Sequence, residues 1–150
     1  MEELHSRSTL SNQPYLLLLS DRAEFTYLFQ RYAQRSGYAF QNADRFEDVL
    51  ALVMPVAPAA IIVDEMFAAY HSGRMLHQLY DTHNMRDVPR LLCVKRDELE
   101  PDLEDLADVC LITPIIYSEF IRGLSFVGLG NNLTSHIPGG TETVITIPTQ

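Results

Sequence analysis

The sequence has few basic residues, two cysteines and no long apolar run, and each shortage excludes a class of protein. Eleven Lys and Arg stand against 20 Asp and Glu, which gives a net charge of −9. Such a chain does not suit non-specific binding of nucleic acid, which needs cationic side chains to displace phosphate counterions, or docking on anionic membranes. No apolar stretch in the sequence reaches the roughly 20 residues of a membrane span. We therefore expect neither nucleic acid nor a membrane as partner.

The two cysteines, Cys93 and Cys110, both stand inside apolar stretches. Neither belongs to a His/Cys cluster with the spacing of a structural zinc site. Two buried thiols predict a reducing, cytoplasmic setting, although one disulfide between them stays open. The polar N-terminal stretch MEELHSRSTL lacks the apolar segment of a signal peptide.

Short apolar runs alternate with amphipathic segments along most of the chain. The runs read as strands buried on both faces, and they are Tyr15–Leu19, Ala59–Asp64, Arg90–Val94 and Val109–Ile112, with a weaker strand at Tyr38–Gln41. Apolar residues at helical spacing predict the intervening helices, which begin near Asp21, Asp44, Gly73, Pro101 and Pro114. Residues 1–13 read as a flexible lead-in, 14–128 as one domain and 129–150 as a tail rich in Thr, Gly and Pro.

This alternation predicts an α/β fold in which helices cover both faces of a parallel sheet. For five strands the natural arrangement is the flavodoxin-like, three-layer α/β/α fold with strand order 2-1-3-4-5. Its functional site lies beyond the carboxyl ends of the strands, beside the first strand. The residues to expect there follow the strand ends, and they are Ser20, Asp21, Asp64, Glu65, Lys95 and Thr113.

From about Pro14 to Gly128 the chain resembles the receiver (CheY-like) domain of bacterial two-component response regulators. The resemblance is carried by the strand ends Leu19-Ser20-Asp21, Val63-Asp64, Val94-Lys95 and Ile112-Thr113-Pro114, and by their spacing. It implies that Asp64 is the phosphoacceptor. It also implies a Mg²⁺ site made by Asp21, Asp64 and the backbone carbonyl of Met66, since Mg²⁺ prefers oxygen ligands and neutralises the transferring phosphoryl group.

Several positions depart from the receiver pattern, which makes the active site atypical. Ser20 replaces one acid of the first-strand pair, Lys95 replaces a hydroxyl residue, and Thr113 replaces the lysine before the fifth-strand proline. Cys110 stands where an aromatic residue is usual, and the Met-Pro that usually follows the phosphoacceptor is absent after Asp64. These departures leave both the phosphorylation of Asp64 and the binding of Mg²⁺ open.

Lys95 suggests one consequence of the altered site. We hypothesise that it pairs with Asp64 or Asp21 and supplies a permanent cation that competes with Mg²⁺. The plainer alternatives are a surface lysine at Lys95, a helix cap at Asp21 and a turn residue at Thr113.

The expected function is that of an atypical receiver module in signal transduction, acting by protein–protein contact and not as an enzyme. The resemblance implies a sensor histidine kinase or a downstream target as partner. It also implies a homodimer or docking face formed by the fourth predicted helix, the fifth strand and the last helix, with Tyr117, Phe120 and Ile121. The alternatives are a phosphorylation-independent pseudo-receiver and a small flavodoxin-like cofactor-binding protein. Against the latter, no Gly-rich phosphate loop follows the first strand.

Overall fold

The computed structural model describes residues 13–71, 73–95 and 107–129. The predicted lead-in and the predicted tail lie outside these ranges except for one residue each. The helix predicted from Pro101 also falls outside them, apart from Ala107 at its end.

The described residues form five strands and five α-helices. The strands are β1 (Tyr15–Leu19), β2 (Ala39–Ala43), β3 (Ala60–Asp64), β4 (Arg90–Val94) and β5 (Val109–Ile112). The helices are α1 (Ala23–Arg35), α2 (Val49–Val53), α3 (Glu65–His71), α4 (Gly73–Tyr80) and α5 (Tyr117–Phe126), with 3₁₀ turns at Phe46–Asp48 and His83–Met85. No helix among the described residues is both long enough and apolar enough to cross a membrane.

The five strands form one parallel sheet in the order β2-β1-β3-β4-β5, which confirms the predicted fold and strand order. The register places Leu19 opposite Val63, and Asp64 opposite Cys93. The carboxyl ends of β1, β3 and β4 therefore meet at one edge of the sheet. This is the edge at which a parallel α/β sheet carries its functional site.

Successive strand residues face opposite sides of the sheet, so each central strand contributes to two cores. On one face, Leu17, Ile61 and Leu92 pack against α2, α3 and α4. On the other face, Leu18, Ile62 and Leu91 pack against α1 and α5. The protein is thus a three-layer α/β/α domain, and its central strands are apolar throughout because neither face is exposed to water.

Helix α1 buries one apolar face, since Phe25, Phe29 and Ala33 are all in the core. It ends at Arg35, just before Gly37, which adopts φ 86°, a left-handed conformation that glycine accommodates without strain. Its start differs from the prediction. Arg22 occupies the N-cap position without a side-chain capping bond, so Asp21 lies one residue before the cap.

The helix predicted to begin near Gly73 is preceded by another helix, which the sequence did not predict. Helix α3 begins directly at Glu65 and turns Phe67 and Ala68 into the core. This helix is stabilised at its start by Asp64, whose Oδ1 accepts the N–H of Met66 at 3.1 Å.

Strand β5 was predicted to be buried, and this holds for Leu111 but not for Cys110 or Ile112, which are exposed. The reason is that β5 is the last strand of the sheet. Cys110 is opposite Leu92 whereas Cys93 is opposite Leu111, so the two thiols face opposite sides of the sheet and no disulfide joins them. The expectation of two buried thiols was wrong for Cys110.

The last helix begins at Tyr117, three residues later than Pro114, and leaves Ile116 exposed. Phe120 is fully buried and belongs to the core shared with α1, so it is not part of a docking face. Tyr117 and Ile121 are half-buried.

Candidate functional site

The candidate site lies where β1 and β3 end side by side. The last residue of β3, Asp64, and the first residue after β1, Ser20, are both fully buried. Both strands are held in place by apolar cores on two faces, so these polar side chains are fixed against each other. A buried carboxylate is costly unless it is paired and hydrogen-bonded, so its partners decide what the site can do.

Arg22 is the principal partner of Asp64. Its Nε lies 2.9 Å from Oδ2 and its Nη2 lies 2.9 Å from Oδ1, a bidentate ion pair. The hydroxyl of Ser20 donates to Oδ2 at 2.8 Å, and the N–H of Met66 donates to Oδ1 at 3.1 Å. A carboxylate has about four acceptor positions. All of those on Asp64 are used.

Ser20 and Arg22 are held together by the turn that joins β1 to α1. The N–H of Arg22 donates to Oγ of Ser20 at 3.1 Å, while the same hydroxyl donates its proton to Asp64. The guanidinium carbon of Arg22 lies 4.2 Å from the centre of the Phe25 ring, a cation–π contact. Arg22 is therefore positioned by its own helix before it reaches Asp64.

The electrostatics of the pair are those of a permanent charge contact. The hydrogen bond to Asp64, together with its charge, raises the pKa of Arg22 above its usual value. The neighbouring Cys93 lies opposite Asp64 in the sheet register, and burial followed by the charge of Asp64 raises the pKa of its thiol. Arg22 thus stays cationic and Cys93 stays a neutral thiol at physiological pH.

Asp21 is exposed and lies in the wall of a groove of about 350 Å³ beside the ion pair. The groove is also lined by Ser20, Thr26, Asn42 and Asp44, and Asp64 is not among its lining residues. Asn42 is held in the groove wall by donating to the carbonyls of Leu18 and Ser20 at 3.0 and 3.2 Å. The structure therefore brings Ser20, but not Asp21, into hydrogen-bond contact with Asp64.

Lys95 does not fill the cation position that the sequence suggested for it. Its side chain is exposed, and its backbone N–H donates to Oε1 of Glu65 at 3.3 Å. Within the described ranges no ion pair joins Lys95 to Asp64 or Asp21. The pairing hypothesis was wrong, because Arg22 reaches Asp64 from the neighbouring strand end with two donors in a plane.

Met66 presents a different backbone group to the site from the one expected. It lies in the first turn of α3, and its N–H points back to Asp64. In a helix the carbonyls point the opposite way to the N–H groups, towards the following turn. The carbonyl of Met66 therefore points away from the carboxylate that it was expected to help in holding a metal.

Thr113 follows β5 and is half-buried, and its N–H donates to the carbonyl of Val94 at 2.8 Å. The bond between Thr113 and Pro114 is cis. No hydrogen bond joins Thr113 to Asp64 in the described part of the chain, so its backbone contact suits the turn residue that the sequence left as an alternative.

The residues around Asp64 do not fit a Mg²⁺ ion as they are arranged. A divalent ion needs free carboxylate oxygens, and both oxygens of Asp64 already accept two hydrogen bonds each. The guanidinium of Arg22 also adds a positive charge where a metal would bind. Among the described residues, no group of three or more His, Cys, Asp or Glu is placed to hold a metal ion.

Arg22 is the site residue that the sequence reasoning missed. A signal was present, because a carboxylate ending a buried strand requires a partner, and Arg22 follows the end of the neighbouring strand by three residues. The receiver pattern points instead to Lys95, which follows the end of β4, on the other side of β3.

Solved structures resemble this fold over most of its length. The chemotaxis response regulator CheY4 of Vibrio cholerae is 16% identical with a TM-score of 0.68, and the CheY-like receiver domain from Methylobacillus flagellatus is 15% identical with a TM-score of 0.64. The receiver domain of the sensor histidine kinase PA1611 from Pseudomonas aeruginosa, which has magnesium in its active-site cleft, is 17% identical with a TM-score of 0.62. Each match covers 77% of this chain and 98% of the other.

These similarities establish that the chain has the fold of CheY-like receiver domains. At identities below 20% they establish the fold and leave the chemistry of the site to its own residues. No protein-family model and no curated protein sequence matches the chain.

Proposed function

We propose that this chain is a pseudo-receiver: a receiver-fold module of two-component signalling that acts by protein–protein contact, with Asp64 serving as a structural anion and not as a phosphoacceptor. The observation that carries the proposal is the bidentate pair between Arg22 and Asp64, with both N–O distances at 2.9 Å. The module is not an enzyme, and its partner is a sensor histidine kinase or a downstream protein.

A phosphoacceptor needs a carboxylate oxygen that can attack phosphorus. To attack phosphorus, an oxygen of Asp64 has to be free of strong donors and open to the donor molecule. Here the side chain is fully buried, and each oxygen accepts two hydrogen bonds. Arg22 also withdraws electron density from the nucleophile by binding both of its oxygens at once.

The residues that would assist phosphoryl transfer are altered in the same direction. The position of the second acid holds Ser20, whose hydroxyl donates to Asp64 and does not offer a carboxylate to a metal. Thr113, where a lysine would contact the phosphoryl oxygens, has a neutral side chain. These replacements together favour the phosphorylation-independent alternative over the phosphorylated one.

The surface available for partners includes the edge of the sheet. Cys110, Ile112 and Ile116 are exposed along β5 and the turn that follows it. They belong to the face that the receiver resemblance implies for docking or for a homodimer.

The test is treatment of the full chain with acetyl phosphate and Mg²⁺, followed by intact-mass measurement, and with beryllofluoride, followed by amide NMR. A receiver that carries the complete acidic pair and the lysine, treated in parallel, is the positive control. We expect no phosphoryl mass on this chain and no amide shifts at Ser20 or Met66. An acid-labile adduct that appears on the wild-type chain and disappears in Asp64→Asn would refute the proposal.

A further inference from the structure

The geometry points to Arg22 as a resident cation that takes the place of a divalent metal at Asp64. This single residue thereby prevents metal ions from binding to the Asp64 carboxylate. This inference deepens the proposed function, because it names the residue that holds Asp64 in its structural role. It also stands on contacts that are independent of any signalling role.

The guanidinium of Arg22 occupies the place that a metal ion would take at Asp64. The two nitrogens of Arg22 sit against both oxygens of Asp64 at 2.9 Å, in the position of a cation bound by both oxygens of a carboxylate. The carboxylate is fully buried, whereas the Arg22 side chain is 26% exposed. The guanidinium therefore covers the side of Asp64 from which a solvated ion would have to approach.

Contacts with Ser20 and Phe25 hold Arg22 at this position beside Asp64. Its backbone N–H is held by Ser20 Oγ at 3.1 Å, and its guanidinium lies over the ring of Phe25 at 4.2 Å. Phe25 is itself buried between α1 and the sheet. Because backbone and side chain are both fixed, the ion pair forms without the loss of side-chain freedom that weakens surface pairs.

Removal of the guanidinium would leave Asp64 with two of its four hydrogen bonds. Asp64 would keep the hydrogen bonds from Ser20 and Met66, and one acceptor position would open on each oxygen. An uncompensated buried carboxylate strongly favours a cation. The acidic groove lined by Asp21 and Asp44 adjoins Ser20, so a divalent ion would meet carboxylates on its way in.

The experiment measures Mn²⁺ binding by electron paramagnetic resonance and Mg²⁺ binding by calorimetry in the wild-type chain, Arg22→Ala and Arg22→Gln. The glutamine variant keeps a long side chain over Phe25, so it covers the case in which Arg22→Ala fails to fold. We expect no measurable binding by the wild type. Both variants should bind the ions at least about tenfold more tightly than the upper limit that this sets for the wild type, since the repulsion from a fixed positive charge is gone.

Two controls locate the effect at this pair. Arg45→Gln removes another arginine that forms an ion pair, with Glu47 at 2.8 Å on the surface, and it should leave metal binding absent. The double variant Arg22→Gln/Asp64→Asn should lose the binding that Arg22→Gln gains. Amide NMR of Ser20 and Met66 during the titration would report binding at the site itself.

Two results would overturn the inference. One is Mg²⁺ or Mn²⁺ binding by the wild-type chain at the affinity of the variants, which would show that Arg22 does not exclude the ion. The other is absence of binding in folded Arg22→Gln. Both are distinct from failure of the proposed function, which would appear as a phosphoryl adduct on the wild-type chain.

Discussion

Ser20 and Asp64 are separated by 44 residues in the sequence, and the hydroxyl of the first donates a 2.8 Å hydrogen bond to the carboxylate of the second inside the protein. The same hydroxyl accepts the N–H of Arg22 at 3.1 Å. One small side chain therefore connects the carboxylate at the end of β3 to the turn that carries its arginine.

Replacing Ser20 should destabilise the fold without disrupting the sheet. Ser20→Ala removes a buried donor to Asp64 and a buried acceptor for Arg22, and we expect a loss of about 1–3 kcal/mol in the free energy of unfolding. Urea denaturation followed by circular dichroism measures it. Ser118→Ala, at an exposed position in α5, is the control. Equal stability of the two variants would contradict a structural role for the Ser20 hydroxyl.

The ion pair should show strong coupling in a double-mutant cycle. Arg22→Ala leaves the buried carboxylate of Asp64 without its cation and should cost about 3–5 kcal/mol. In Arg22→Ala/Asp64→Ala the uncompensated charge is gone, so the loss should be smaller than the sum of the single losses by about 1–3 kcal/mol. Urea unfolding of the wild type and the three variants gives the cycle. Additive losses would mean that the two side chains do not depend on each other.

Alkaline pH should lower stability through Tyr15. Its hydroxyl lies 2.6 Å from the carbonyl of Val56, to which it donates, and burial raises its pKa from 10.0 to about 12. Between these values the unfolded chain has lost this proton while the folded chain still holds it, so the free energy of unfolding falls as pH rises. The contribution of Tyr15 is complete below pH 10 and is lost by about pH 12.

The measurement for Tyr15 is the free energy of unfolding from urea titrations at several pH values from about 9 to about 12. Buried Tyr80 and Cys93, whose pKa values are also raised by burial, should contribute to the same fall. Tyr15→Phe should therefore reduce the slope without abolishing it, whereas Tyr27→Phe, on an exposed ring, should leave it as in the wild type. An unchanged slope in Tyr15→Phe would contradict the burial argument.

Gly123 lies where α5 packs closely on the sheet. A Cβ at this position would lie 3.0 Å from Cδ2 of Leu111 and 3.3 Å from Cδ2 of Leu91, and both leucines are buried. Gly123→Val should therefore overpack this contact and cost about 1–3 kcal/mol. Thermal or urea unfolding checks it against Ser125→Val, an exposed position in the same helix. A similar stability in both variants would show that α5 can move away from the sheet at little cost.

The fold was predictable because its central strands are buried on both faces. Leu16 to Leu19 and Ile61 to Val63 leave no polar face, and the period of two that marks a half-exposed strand is absent from them. The errors occur where burial changes at an edge. Strand β5 has a neighbour on one side, so Cys110 and Ile112 are exposed although the sequence there is as apolar as in the centre.

The site was predictable in its position and not in its partners. Strand ends placed Asp64 at the correct edge of the sheet, because parallel strands share that edge whatever their sequence. The direction of a side chain across such an edge depends on the turn that carries it. Arg22 reaches Asp64 because Ser20 fixes the turn between β1 and α1. The contact between Arg22 and Asp64 joins residues that are far apart in the sequence.

Asp64 also accepts the N–H of Met66 in the first turn of α3. The same carboxylate pairs with Arg22 in the turn between β1 and α1, and α1 and α3 cover opposite faces of the sheet. A change in the charge of this carboxylate would therefore weaken two contacts at once, the ion pair with Arg22 and the hydrogen bond from Met66. The helical layers on the two faces of the sheet are thus coupled through a single side chain. Loss of its charge would affect a protein bound at either layer.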